Sequence, residues 1–219
     1  MVTSLAVLSL FVIAMIMFRV LYTRTPEHIA IGWNLFLAWI PFALALIVYD
    51  RANTGVSTPK LAAVGLLWLL FLPNAPYLVT DLKYIGRDGG VPAMYDVLLL
   101  SAAAWTGLLL GLTSLFLVHA VARRLIGALN AWVFVLGVLA LSSFGIYLGR
   151  VQRWNSWDVF VRPGSLFGDI AKGTFHPLSH PRPFAVTILF TSFLLASYLV
   201  FYSFARLGSL DASRSGSRA

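Results

Sequence analysis

The sequence predicts an all-α protein, a polytopic membrane helix bundle of six transmembrane helices with an interfacial segment between helices 5 and 6. Three observations carry that prediction. Of 219 residues, 59% are hydrophobic and only 11% charged, whereas a soluble domain needs roughly a quarter of its residues charged to cover its surface. Six apolar runs approach the ~20 residues that cross ~30 Å of hydrocarbon. Lys and Arg number 16 against eight Asp and Glu, a net charge of +8. These basic residues sit between the apolar runs, where positive charge meets anionic headgroups, so nucleic acid is not an expected partner and the lipid bilayer is. Zero cysteines exclude disulfides, thiolate metal sites and a cysteine nucleophile.

The first span, residues 4–22, is too long for a secretory h-region, has no basic stretch ahead of it and lacks a small-residue cleavage site, so it reads as a retained helix. The second is 29–49, the third 61–79, the fourth 92–118, the fifth 128–149 and the sixth 184–204. Residues 1–205 thus form a single transmembrane domain, with 150–183 as an interfacial loop or short helix and 206–219 as a disordered basic tail without apolar periodicity. Six spans put both termini on one side of the membrane; the opposite side is called the far side below. Lys and Arg divide seven to nine between the terminal and far sides, which does not decide orientation. Bare basic clusters such as Arg123-Arg124 favour cytoplasmic termini, while Arg19, Arg24 and the absence of a basic N-terminus count the other way.

Polar residues collect at the far side. Leu61–Leu72 is only about 18 Å of helix before Pro73-Asn74-Ala75-Pro76, so the third span breaks inside the bilayer. Each proline lacks an N–H and crowds the carbonyl four residues earlier, leaving the Leu69 and Leu72 acceptors open where water is absent. Two readings stand: a proline kink with Asn74 capping the resumed helix, or a broken helix lining a polar cavity with Asn74 facing a ligand. The segment ends at Thr80-Asp81. Asp96 lies one turn inside the fourth span, where it needs a basic partner, a wet cavity or the positive end of the helix dipole. The fifth span delivers Arg150, Arg153, Trp154, Asn155, Trp157 and Asp158; if helix continues there, Arg150, Trp154 and Asp158 share one face. These residues read either as an aromatic-belt anchor with snorkelling arginines or as a binding surface. The second span starts at the same side, with Trp33 and Asn34 about one turn deep. The expected binding set is therefore Asn34, Asn74, Asp81, Asp96, Arg150, Arg153, Trp154, Asn155, Trp157 and Asp158. The terminal end, with Asp50, Arg51, Lys60, His119, Arg123 and Arg124, reads as an ordinary headgroup-facing rim.

No metal is expected. His176 and His180 have i, i+4 spacing, but Pro177 and Pro181 oppose the helix that would bring both rings to one ion, so they are weak candidates. No cofactor signature, GxSxG, HExxH or Walker motif is present. Gly107-Leu-Leu-Leu-Gly111 and Gly145-Ile-Tyr-Leu-Gly149 are small-xxx-small spacings that let helix backbones approach closely.

At Leu72-Pro-Asn-Ala-Pro-Tyr77, Thr80-Asp81-Leu82, Tyr95-Asp96, Phe144-Gly-Ile-Tyr-Leu-Gly-Arg150 and Arg153-Trp-Asn-Ser-Trp-Asp158, the chain resembles an uncharacterised family of bacterial multi-pass membrane proteins, a domain of unknown function. The resemblance extends to Trp33-Asn34 through Pro41 and to Pro177–Pro181, covering about residues 30–205. It implies an architecture and a bacterial cytoplasmic (inner) membrane location, but no activity. In that family's pattern a histidine often follows the Thr-Asp-Leu element, where this chain has Lys83-Tyr84, a departure that weakens a metal-centre reading.

Three functions remain open from the sequence. The first is recognition of an anionic lipid, another amphiphile or a membrane protein partner, with Trp154 and Trp157 against apolar material and Arg150 and Arg153 gripping an anion. The second is an enzyme on a lipid-linked substrate, with Asp96 and Asp158 as catalytic acid/base candidates. The third is a small-solute transporter using the broken third helix, for which Ser101, Thr106, Ser142 and Ser143 are the few polar residues at depth.

Overall fold

A computed structural model of the chain describes residues 1–26, 28–54, 58–87, 90–165, 168 and 181–216. The elements are α1 (Val2–Thr23), α2 (Ile29–Asn53), α3 (Thr58–Phe71), α4 (Asn74–Tyr77), a 3₁₀ helix (Leu78–Tyr84), α5 (Ala93–Ile126), α6 (Ala128–Val151), α7 (Asp158–Val161) and α8 (Pro181–Gly216). Six segments are long and apolar enough to cross a membrane: Val2–Thr23, Ile29–Asn53, Pro59–Tyr84, Ala93–Ile126, Ala128–Val151 and Arg182–Leu207. The chain is thus an all-α, multi-pass membrane protein.

Local chemistry sets most boundaries. Pro92 stands at the N-cap of α5, where its missing N–H removes nothing from the helix ladder. Gly127 alone joins α5 to α6, and its φ of 81° permits a reversal that a side chain would strain. α8 runs on as helix through Gly216, in the stretch read from sequence as a disordered tail. Extending a helix that the bundle has already nucleated requires no new nucleus. Residues 217–219 lie outside the described set.

The fourth span, α5, is the hub. Its most apolar window is 67% buried, against 11% for the last span. α1, α2, α4, the 3₁₀ helix and α6 all pack on α5, while α8 rests mainly on α6. Between lipid-solvated helices the hydrophobic effect supplies little drive, so close packing and interhelical hydrogen bonds must hold them together. Trp68 Nε1 donates to Ser114 Oγ at 2.6 Å, and Ser114 donates to the Pro41 carbonyl at 3.1 Å, tying α3, α5 and α2. Arg19 and Asp96 tie α1 to α5.

The two glycine pairs receive the broken segment. A Cβ on Gly107 would strike the Ala75 carbonyl oxygen and the Leu78 side chain, and one on Gly111 would sit 3.2 Å from Ala75 Cβ. On α6, a Cβ at Gly145 would lie 2.6 Å from Pro73 Cγ, and one at Gly149 would lie 3.3 Å from the Tyr77 ring. Residues 73–78 are thus seated between two glycine-lined helix faces.

Candidate functional site

The site begins with the break. α3 ends at Phe71, and Leu72 N–H still reaches the Trp68 carbonyl at 2.9 Å. The Leu72 carbonyl, which Pro76 cannot serve, accepts from Ala75 N–H at 3.1 Å. Asn74 Nδ2 donates to the Phe71 carbonyl at 2.9 Å and to Ser156 Oγ at 2.9 Å. The side chain therefore satisfies a carbonyl on the preceding helix and pins the chain beyond α6; it is not the N-cap, a position held by Pro73.

The tightened 3₁₀ turn then carries Asp81 inward. Asp81 is buried, accepting from Asn34 Nδ2 at 3.1 Å and pairing with Arg150 Nη1 at 3.0 Å. Arg150 also donates to the Tyr77 hydroxyl at 3.2 Å and to the Thr80 carbonyl, and its guanidinium lies 5.2 and 5.1 Å from the Tyr77 and Tyr84 ring centroids. Arg150 is thus a hub joining α6 to the broken segment, with its charge neutralised by Asp81. Arg150→Lys keeps that charge but loses the planar fork. It should lower stability by about 1.5 kcal/mol, the order of one charge-assisted hydrogen bond, read as a drop in thermal midpoint in detergent.

Beyond Val151 the structure corrects the expectation of a continuous helix. Arg153 adopts a left-handed conformation with φ of 62°, and Trp154 N–H turns back to the Leu148 carbonyl at 3.1 Å. Arg150, Trp154 and Asp158 therefore do not share a helical face. Asp158, buried at the start of α7, accepts from the Asn155 backbone N–H at 2.7 Å and holds that turn. Arg153 is exposed, and Trp157 meets Trp33 edge-on with ring centroids 6.5 Å apart.

These elements enclose a cleft of about 370 Å³. Its polar lining comes from Asn34, Asn74, Tyr77, Trp154, Asn155 and Ser156, and its apolar walls from Leu37, Leu69, Leu70, Leu141, Phe144 and Leu148. Trp154 Nε1 is buried with no hydrogen-bond partner among the described residues. Leu141 and Trp33, also on the lining, are more than half exposed, at 57% and 53%.

Of the residues expected from sequence, Asn34, Asn74, Trp154 and Asn155 line this cleft; Asp81 and Arg150 stand behind it; Arg153 and Trp157 flank it. Asp96 belongs elsewhere: it forms a two-point ion pair with Arg19, Nε to Oδ1 at 2.8 Å and Nη2 to Oδ2 at 3.2 Å. His176 and His180 lie outside the described residues, and among the described residues no group of three His, Asp or Glu is arranged to hold a metal. Tyr77 and Ser156 were not expected. Tyr77 sits in the proline motif one turn from Thr80 and could have been read as its neighbour; Ser156 carries no signal of its own.

A family described as "Protein of unknown function (DUF1361)" matches residues 33–197. No curated protein and no solved structure matches the chain.

Proposed function

The chain belongs to the DUF1361 family, and from its site we propose that it recognises an amphiphile, an anionic lipid in the first instance, at the far face of a bacterial cytoplasmic membrane. The observation that carries this reading is the cleft itself. At about 370 Å³ it falls within the ordinary range of ligand pockets, with predominantly apolar walls and a few converging polar groups. The apolar wall from Leu69 to Leu148 suits an acyl or prenyl chain, entering past the exposed Leu141. The buried Trp154 indole N–H suits an acceptor on the headgroup.

Arg153 supplies the charge. A non-glycine residue in the left-handed region costs about 1 kcal/mol, and here it forms part of the turn that stops α6 and leaves the Arg153 side chain exposed. Binding is favoured over acid–base chemistry because both candidate carboxylates are committed, Asp96 to Arg19 and Asp158 to the Asn155 turn, and neither lines the cleft. A transport path is disfavoured because Thr106 and Ser143 bond to carbonyls four residues back in their own helices.

Arg153→Gly separates fold from function. The variant should be as stable as the parent or up to about 1 kcal/mol more stable. It should also retain far less phospholipid when the purified protein is analysed by native mass spectrometry, and Trp154→Phe should act in the same direction. Undiminished lipid occupancy in both variants would refute the proposal.

A further inference from the structure

The polar side of the far-side cleft has a fixed hydrogen-bond polarity. Asn34 Nδ2 donates to Asp81 at 3.1 Å, and Asn74 Nδ2 spends both of its hydrogens, on the Phe71 carbonyl and on Ser156 Oγ, each at 2.9 Å. A backbone carbonyl, and a carboxylate paired with Arg150, can only accept, so neither amide can turn over. Each nitrogen is held by the protein, and each Oδ1 is left as an acceptor on a residue that lines the cleft. Asn155 repeats the pattern, its Nδ2 reaching Asp158 at 3.4 Å and its oxygen again left over.

The same lining carries donors. Ser156 Oγ accepts from Asn74, so its own O–H remains to be given, and the Trp154 indole N–H is buried with no partner among the described residues. A bare phosphate or carboxylate only accepts, and would set its charge against the amide oxygens. An ammonium only donates, and would leave the indole and serine protons unserved. A hydroxyl does both, with one donor and two acceptor sites. Once a ligand excludes water, an amide oxygen left unpaired costs more than the missing bond, so such a site rejects an analogue that lacks the hydroxyl.

Resting on the amphiphile reading of this cleft, we propose that its ligand is an anionic lipid whose headgroup carries free hydroxyls. Asn34, Asn74 and Asn155 accept from those hydroxyls and set the specificity, while Arg153 takes the phosphate.

The test is a competition between lipids for the purified full chain, read as the ratio of bound species in native mass spectrometry. Phosphatidylglycerol is set against phosphatidylpropanol, which has the same acyl chains, three-carbon headgroup and single charge but no hydroxyl. The parent should favour phosphatidylglycerol about tenfold, the order expected of one or two hydrogen bonds. Asn34→Ala should bring that ratio towards one, whereas general damage to the cleft would lower both lipids together and leave the ratio unchanged. Asn155→Ala, at an exposed position, is read in the same way and serves alone if Asn34→Ala does not fold. Phosphatidylinositol held above phosphatidylglycerol supports the site with a ring polyol, rather than glycerol, as the source of the hydroxyls. Equal binding of phosphatidylglycerol and phosphatidylpropanol by the parent overturns the hydroxyl specificity and leaves the anionic-lipid reading standing. A ratio unmoved by the substitutions, or a preference for phosphatidylethanolamine, also overturns it. A parent that binds none of these lipids overturns both readings.

Discussion

Asp96→Ala should destabilise the protein by about 3–5 kcal/mol, the usual penalty for breaking one side of a buried ion pair. Arg19 and Asp96 are each only 1% exposed, and two contacts of 2.8 and 3.2 Å join them. Removing the carboxylate takes both of these contacts from a buried guanidinium in the interior of a membrane bundle. The same helix pair is also joined by Tyr95, whose hydroxyl donates to the Met15 carbonyl at 2.7 Å, so the loss would loosen α1 from α5. Asp96→Asn keeps the shape and one acceptor and should lose less. Replacing both partners, Arg19→Met with Asp96→Leu, should recover most of the stability, because neither buried charge then has to be desolvated. Unfolding by denaturing detergent in mixed micelles, followed by tryptophan fluorescence, measures all three. A loss below 1 kcal/mol for Asp96→Ala would show that the pair does not fasten α1.

Gly107→Ala should be nearly as damaging, at about 3 kcal/mol, although alanine is the better helix former. The added methyl meets the Ala75 carbonyl oxygen and the Leu78 side chain, and one of those contacts is backbone that cannot rotate away. The segment it displaces carries Pro73, Asn74 and Tyr77 to the cleft, so lipid retention should fall along with the thermal midpoint. Gly145→Ala, against Pro73, should act in the same direction from α6. Gly137→Ala is the control: no heavy atom lies within 4 Å of its Cβ position, and the substitution should be neutral or stabilising by up to about 1 kcal/mol. If Gly107→Ala and Gly137→Ala behave alike, the glycine seat has no role in holding the break.

Both effects depend on partners far apart in the chain, and the sequence named only one member of each. Asp96 stood out because a carboxylate beside an apolar run is costly, but Arg19, 77 residues earlier, gave no sign of being its counter-ion. Arg150 drew attention as an anion binder, yet most of its donors serve Asp81, Tyr77 and Thr80, leaving exposed Arg153 for that role. The glycine spacings were readable as close-approach sites, without any indication that residues 73–78, rather than a whole helix, would fill them.

From the sequence by itself came the all-helical class, six apolar crossings, the break at Pro73 and the gathering of Asn34, Asp81 and Arg150 at one end. Length, hydropathy and the missing proline N–H are local properties, and the order of crossings dictates which loops share a side. Only the tertiary structure decided which face of each helix turns inward. A helix in water shows that face as an apolar stripe, whereas one in lipid is apolar all round. On α3, Leu66 is 68% exposed and Trp68 1%, though hydropathy alone does not tell lipid-facing from core. Side-chain pairing and the cleft follow from those rotations about the helix axes, which composition and spacing leave undetermined.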